Sequence, residues 1–136
     1  MSKIVVTSGY FIWLHVGHIE LFKRAKELGD SLIVILNNDY QQILKYQKVI
    51  VPFEQRKKIL ESIKYIDKVI ESEDRDKTVC KTLEIIKPDI FAKGGDRYKF
   101  EIPERKICEK YNIKIIDGLG NKIQSSSELL KNVKLP

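Results

Sequence analysis

Residues 3–39 read KIVVTSGYFIWLHVGHIELFKRAKELGDSLIVILNND, and their pattern decides the fold. "KIVVTS" (3–8) is short, β-branched and ends against Gly9, which marks a buried strand. "GHIELFKRAKELGD" (17–30) sets Ile19, Phe22, Ala25 and Leu28 at helical spacing, with Gly29 where a C-cap is expected. "SLIVILNND" (31–39) is a second apolar strand that closes in a polar turn. Two strands apolar on both faces, joined through a helix, make a parallel unit with a right-handed crossover.

The alternation continues along the chain. "PFEQRKKILESIKY" (52–65) opens on a proline suited to a first helical turn and gathers Phe53, Ile59, Leu60 and Ile63 largely on one side. "DKVIES" (67–72) predicts a short third strand, "DKTVCKTLEIIKP" (76–88) a helix stopped by Pro88, and "DIFAK" (89–93) a fourth strand. "PERKICEKYN" (103–112), "IKIID" (113–117) and "SSELLKNV" (126–133) predict a helix, a fifth strand and a final short helix. There is no hairpin signal, repeat or linker. The expectation is one domain over residues 1–136, a Rossmann-like three-layer α/β/α fold around a five-stranded parallel sheet.

Composition narrows the partners. A chain of 136 residues, 43% hydrophobic and 32% charged, is expected to be globular with one substantial core. Its longest apolar runs are too short to cross a bilayer, and no signal peptide is evident, so no membrane partner is expected. Cys80 and Cys108 lack C-x-x-C spacing, which suits reduced thiols in the cytoplasm. The net charge of +6 favours anionic partners. Its lysines are dispersed, often among acids as in "ERKICEKY", and the arginine-rich and aromatic signatures of nucleic-acid readers are missing. Charge alone does not choose among nucleotides, nucleic acid and phosphorylated metabolites, and these missing signatures argue against the nucleic acid.

In a parallel sheet the ligand lies beyond the carboxyl ends of the strands. Four polar clusters stand there: "GYFIWLHVGH", "NND" leading to Lys45 and Lys48, "KGGDR", and "KIQSSS". Gly9 permits close backbone approach. His15 and His18, the chain's only imidazoles, fall in the loop and in the first helical turn, where the helix dipole already favours phosphate. Gly17 between them removes a Cβ from the phosphate's path. Such a pair can donate hydrogen bonds to oxygens that gain charge at a phosphoryl centre, although helix-capping histidines would look the same. Ser125, Ser126 and Ser127 precede "ELL" and serve both as a capping box with Glu128 and as phosphate ligands. The paired glycines of "KGGDR" let a base or ribose approach, and Asp96 can accept from sugar hydroxyls. They equally suit a tight turn. Arg56 reads as a helix-surface residue paired with a carboxylate or as a substrate contact.

The order of these clusters resembles the cytidylyltransferase-like family of nucleotidyltransferases. The likeness rests on G-x-F-x-x-L-H-x-G-H, N-x-D, E-x-R, K-G-G-D and S-S-S in sequence, from Lys3 to about Lys131. "LIVILNND", "VPFEQRKKILESIKYIDKVI" and "PDIFAKGGD" are most similar to the adenylyltransferase domain of ADP-heptose synthase, then to glycerol-3-phosphate and phosphoethanolamine cytidylyltransferases. The resemblance implies transfer of a nucleoside monophosphate from CTP or ATP to a phosphorylated sugar or alcohol, such as heptose 1-phosphate or glycerol 3-phosphate. Pyrophosphate leaves, and no enzyme nucleophile is needed. It implies catalytic roles for His15, His18 and Lys45. The implied nucleotide-binding set is Gly9, Tyr10, Phe11, Gly17, Lys93, Gly94, Asp96 and Ser125 to Ser127. Ile12, Trp13, Asp39, Lys48 and Arg56 fall to the acceptor, with Asp39 near substrate or metal. Mg²⁺ would arrive with the triphosphate, since the sequence holds no dedicated metal-ligand cluster. A homodimer through the first helix and the segment after the second strand, where Tyr40 and Tyr46 lie, is also implied.

Two positions depart from the family pattern. Ile12 stands where members usually carry aspartate, with the bulky Trp13 beside it. "GNKIQ" lacks the arginine that cytidylyltransferases tend to place before their S-T-T, which tilts the base from CTP toward ATP. Ile12 also opens an alternative: a nucleotide-binding, regulatory domain that kept the fold and lost turnover.

Overall fold

The computed structural model describes residues 2–94 and 102–119. The chain runs β1 (Ile4–Gly9), α1 (Val16–Glu27), β2 (Ser31–Leu36), α2 (Asp39–Tyr46), α3 (Phe53–Glu61), β3 (Lys68–Glu71), α4 (Cys80–Ile86), β4 (Ile90–Gly94), α5 (Ile102–Lys110) and β5 (Lys114–Leu119). The five strands form one parallel sheet in the order β3-β2-β1-β4-β5. The chain winds outward from β1 to β3, then crosses back to lay β4 on the other side of β1. The topological switch therefore falls between β1 and β4.

Period-two alternation sends successive strand residues to opposite layers. Val5, Leu32, Val34, Leu36, Ile90 and Ala92 pack with Leu21, Phe22 and Ala25 of α1 and with Phe53 and Leu60 of α3. Val6, Ile35 and Phe91 point the other way, against Leu83 of α4 and Cys108 of α5. Two apolar layers sandwich the sheet, and the expected three-layer architecture follows. Burial in the second layer pushes the Cys108 thiol up to about 11, so it stays protonated. No helix among the described residues is long and apolar enough to cross a membrane.

The structure redraws several local expectations. Residues 39–46, read as a polar cluster, are helical: Asn38 caps Gln41 N–H while the Gln41 side chain returns to the Asn38 N–H, a complete capping box. Helix α4 begins at Cys80, not near residue 76, because Asp74 accepts from the Lys81 and Thr82 N–H groups and holds the preceding segment as loop. Gly29 is not a left-handed cap, since α1 ends on Leu28 in ordinary right-handed backbone. A Cβ on Gly29 would instead meet the Lys3 carbonyl oxygen and Val5 Cγ2 at 2.8 Å each, so close approach of β1 requires the glycine. Ile59, expected on the apolar side of α3, is 52% exposed. The last predicted helix lies outside the described residues.

Candidate active site

The carboxyl end of β1 turns sharply into α1. Phe11 adopts φ of 49°, a left-handed conformation that costs a non-glycine residue free energy and is held only by surrounding contacts. Those contacts are visible. The Phe11 ring folds back over Gly9 and meets Phe22 and His18 edge-on, with centroids 5.2 Å and 5.3 Å away. A Cβ on Gly9 would lie 2.8 Å from Phe11 Cζ, so the glycine makes room for this ring, where the sequence suggested room for a ligand. Gly9→Ala is expected to push Phe11 off His18, lowering both melting temperature and turnover. Recovery of either in Gly9→Ala/Phe11→Leu, measured by thermal melt and steady-state kinetics, checks the steric cause.

The two histidines cap α1 reciprocally. His15 is the N-cap, and its Nδ1 accepts from the Gly17 N–H at 3.1 Å. His18 Nδ1 accepts from the His15 N–H at 3.2 Å. Each ring therefore uses Nδ1 as an acceptor, which leaves Nε2 as the proton-bearing atom of both. The rings lie 4.0 Å apart and tilted by 31°. Burial, and then the neighbouring His15, lower the His18 pKa from 6.5 to about 4, so it is a neutral donor at physiological pH. Capping fixes the tautomer, with Nδ1 accepting and Nε2 bearing the proton, that donation to a ligand would require.

Around the ends of β1 and β2 lies a buried polar frame that sequence reasoning missed. Arg56, read as surface or substrate-facing, has no exposed side-chain area. It donates to the carbonyls of Val51, Tyr10 and Asn37 and, at 2.8 Å, to Asp39 Oδ1. Asp39 Oδ1 also accepts from Phe53 N–H and Gln42 Nε2. Arg56 thus ties the β1 loop, the β2 terminus and α2 together from a fully buried position. Gln41 Oε1 accepts from Asn37 Nδ2 and Asn38 N–H, while its amide donates to the carbonyls of Asp76 and Thr78. Gln42 does the same for residues 50 and 51, and the Asn38 amide for Ser72 and Asp74. Side-chain amides satisfy loop backbone that has no sheet partner.

The remaining candidates are distributed over the same rim. Lys45 Nζ rests 4.5 Å from the centroid of Tyr10 and 5.3 Å from that of Tyr46. Lys48 is exposed beyond α2, Ile12 is half-buried, and Trp13 is 57% exposed. Lys93, at the end of β4, approaches the buried Glu104 at 3.9 Å. Gly94 pairs with Leu119 of β5, whose carbonyl oxygen would stand 2.7 Å from an added Cβ, so the sheet itself demands that glycine. Asp96 and Ser125 to Ser127 lie outside the described residues. Among the described residues no cluster of three or more metal-ligating side chains occurs, and Asp39 is engaged by Arg56.

Comparison with known proteins bears on the family and the fold. The model of a family described as cytidylyltransferase-like matches residues 6–130. A glycerol-3-phosphate cytidylyltransferase of Staphylococcus aureus is 39% identical over 125 residues, covering 87% of this chain and 89% of its own length. A FAD synthase of Ferroglobus placidus is 37% identical, covering 84% of this chain and 72% of its own. The bifunctional protein HldE of Hahella chejuensis is 37% identical over 88% of this chain, which spans only 26% of that protein. Among solved structures, a lipopolysaccharide core biosynthesis protein of Thermoplasma volcanium superposes with a TM-score of 0.71 at 29% identity, over 86% of this chain and 96% of its own.

Proposed function

We infer, for a chain that belongs to the cytidylyltransferase-like family and is a nucleotidyltransferase, that it transfers a nucleoside monophosphate from CTP or ATP to a phosphorylated sugar or alcohol. The acceptor's phosphate oxygen attacks the α-phosphorus in line, the bond to the bridging oxygen breaks, and pyrophosphate leaves. The observation that carries this reading is the reciprocal histidine cap, which supplies two Nε2–H donors at the start of α1. Fixed neutral donors beside a helix N-terminus suit oxygens that gain charge in the transition state and need no reorganisation. Lys45, whose ammonium lies over the Tyr10 and Tyr46 rings, serves the phosphates in this reading. Mg²⁺ would arrive with the triphosphate and would supply charge neutralisation at the phosphates. The test is pyrophosphate release with CTP and ATP against a panel of phosphorylated acceptors, beside a thermal-shift screen of the same nucleotides. Nucleotide binding without release from any acceptor would leave the regulatory alternative standing.

Ile12 is the feature that favours that alternative, and it is separable. Ile12→Asp is expected to keep nucleotide affinity within a few-fold while changing acceptor preference or rate. Loss of nucleotide binding with the fold intact would put Ile12 in the nucleotide pocket. A large fall in melting temperature would make it a plain core residue burdened with a buried charge.

The reading includes a cytoplasmic location, supported by two free thiols, and a symmetric dimer. Val16 and Ile19 on α1 and Tyr40 and Val49 around α2 are large apolar side chains left at least 37% exposed. Sedimentation at micromolar concentration is expected to show the dimer, and an active monomer would remove it. Tyr46, the other aromatic expected at that interface, is half-buried against the β1–α1 loop.

A further inference from the structure

Four non-glycine residues among those described take positive φ, and three of them follow helices: Gln47 after α2, Lys87 after α4 and Asn112 after α5. Phe11 is the exception. It stands in the β1–α1 loop, where a glycine would adopt φ of 49° without steric cost. A phenylalanine kept in that conformation must be held there by its ring. The ring has little to offer a nucleotide, since the residue is 9% exposed and belongs to the apolar layer of Leu21, Phe22 and Ala25. What it touches instead is one stripe of α1. His18 and Phe22 are four residues apart on that helix, on one face, and both meet the Phe11 ring edge-on.

The His18 imidazole is held at three points. Its Nδ1 accepts the His15 N–H, the His15 ring lies 4.0 Å away, and the Phe11 ring stands at 84° to it with centroids 5.3 Å apart. The first two contacts belong to the helix cap, and Phe11 adds a wall from outside it. A hydrogen bond at one atom fixes a position but not a plane, so the imidazole could still rock about its last torsion. An aromatic wall at right angles to it stops that motion. The wall also keeps water from the ring: burial, ahead of the neighbouring His15, is what lowers the His18 pKa to about 4. Among the described residues His15 is the titratable group that bears on His18, and Phe11 carries no charge. Resting on the nucleotidyltransferase reading above, we propose that Phe11 is a positioning residue for the transfer. Its ring, braced on Gly9 and Phe22, fixes the plane of the His18 imidazole so that Nε2 donates to the transferred phosphoryl group, and the ring itself does not touch the nucleotide.

The chain has only two imidazoles, so NMR of protein carrying ¹⁵N-labelled histidine reports His15 and His18 without interference. In the parent protein His18 is expected as a neutral Nε2–H tautomer that titrates near 4, and a midpoint at the ordinary 6.5 would overturn the wall before any variant is made. Phe11→Leu keeps an apolar side chain and removes the ring. Its His18 midpoint is expected to rise toward 6.5, and the acid limb of kcat to move up with it. On the plateau above that limb kcat should fall about tenfold, while the KM for CTP or ATP stays within about twofold. Phe53→Leu, which removes a ring from the same apolar layer on α3, is expected to lower the melting temperature and leave the His18 titration in place. An unmoved His18 midpoint in Phe11→Leu, with kcat lost only in step with stability, would make the ring plain core. A raised nucleotide KM with kcat unchanged would make it a nucleotide contact. Either result overturns the proposal and leaves the transferase reading intact. Pyrophosphate release from no acceptor, with the His18 midpoint shifted as expected, would overturn the transferase reading and support the wall.

Discussion

His18→Asn is expected to lower kcat by about 10²–10³-fold, the loss typical of removing one preorganised donor from a developing oxyanion, while the protein keeps most of its stability. The reason lies in the two nitrogens of the ring. Asparagine places its Oδ1 near the position of Nδ1 and can still accept from the His15 N–H, so the reciprocal cap survives. It offers nothing at the position of Nε2. His18→Gln does the reverse: its amide reaches the Nε2 position but the cap acceptor is gone, which costs about 1 kcal/mol and spares part of the turnover. Rates at saturating nucleotide and acceptor, with thermal melts of both variants, separate the two roles. Near-full activity in the asparagine variant would reduce the pair to a helix cap.

The same substitution alters the response to acid. The folded chain holds His18 near 4 whereas an unfolded histidine titrates at 6.5, so between these values the unfolded state binds the extra proton. The stability associated with a neutral His18 is fully present above 6.5 and is lost as pH falls toward 4. His18→Asn does not titrate there. Its melting temperature should fall less between pH 7 and pH 4.5 than that of the parent protein.

What the sequence disclosed depended on how locally each interaction is written. Val5 against Val6, and Ile33 against Val34, already show strands buried on both faces, and the parallel sheet follows from them. The histidine pair is legible because helix capping is decided within four residues. Helix α2 was equally local, with Asn38 and Gln41 at capping-box spacing, but a short helix with a narrow apolar face carries little periodicity. The glycines misled in a different way. Gly9, Gly29 and Gly94 mark close approach, yet the approaching groups are Phe11, Lys3 and Leu119, and only the tertiary structure identifies them. The acceptors of Arg56 are further hidden, since three of the four are carbonyls, which no side-chain alphabet records.

Arg56 carries the largest stability effect expected of any single residue at this site. Its guanidinium is fully buried and spreads four hydrogen bonds over segments that are 5 to 46 residues away in sequence. Burial works against its charge, and Asp39 restores it. Removing the cation by Arg56→Met leaves Asp39 without its counter-ion and the Tyr10 and Asn37 carbonyls without donors, while the Val51 carbonyl keeps Gln42 Nε2. The loss is about 1–3 kcal/mol for each carbonyl left unpaired. Arg56→Lys retains the charge, but an ammonium has no planar fork and cannot reach Val51, Tyr10, Asn37 and Asp39 together. Each carbonyl it abandons costs about 1–3 kcal/mol. Urea denaturation of both variants measures these losses directly. The functional consequence then distinguishes a frame from a contact. Because Tyr10 opens the loop that ends in His15, a residue that positions that loop should lower kcat when replaced by lysine, in step with lost stability. A residue that touched the acceptor would raise its KM and leave the unfolding midpoint where it was.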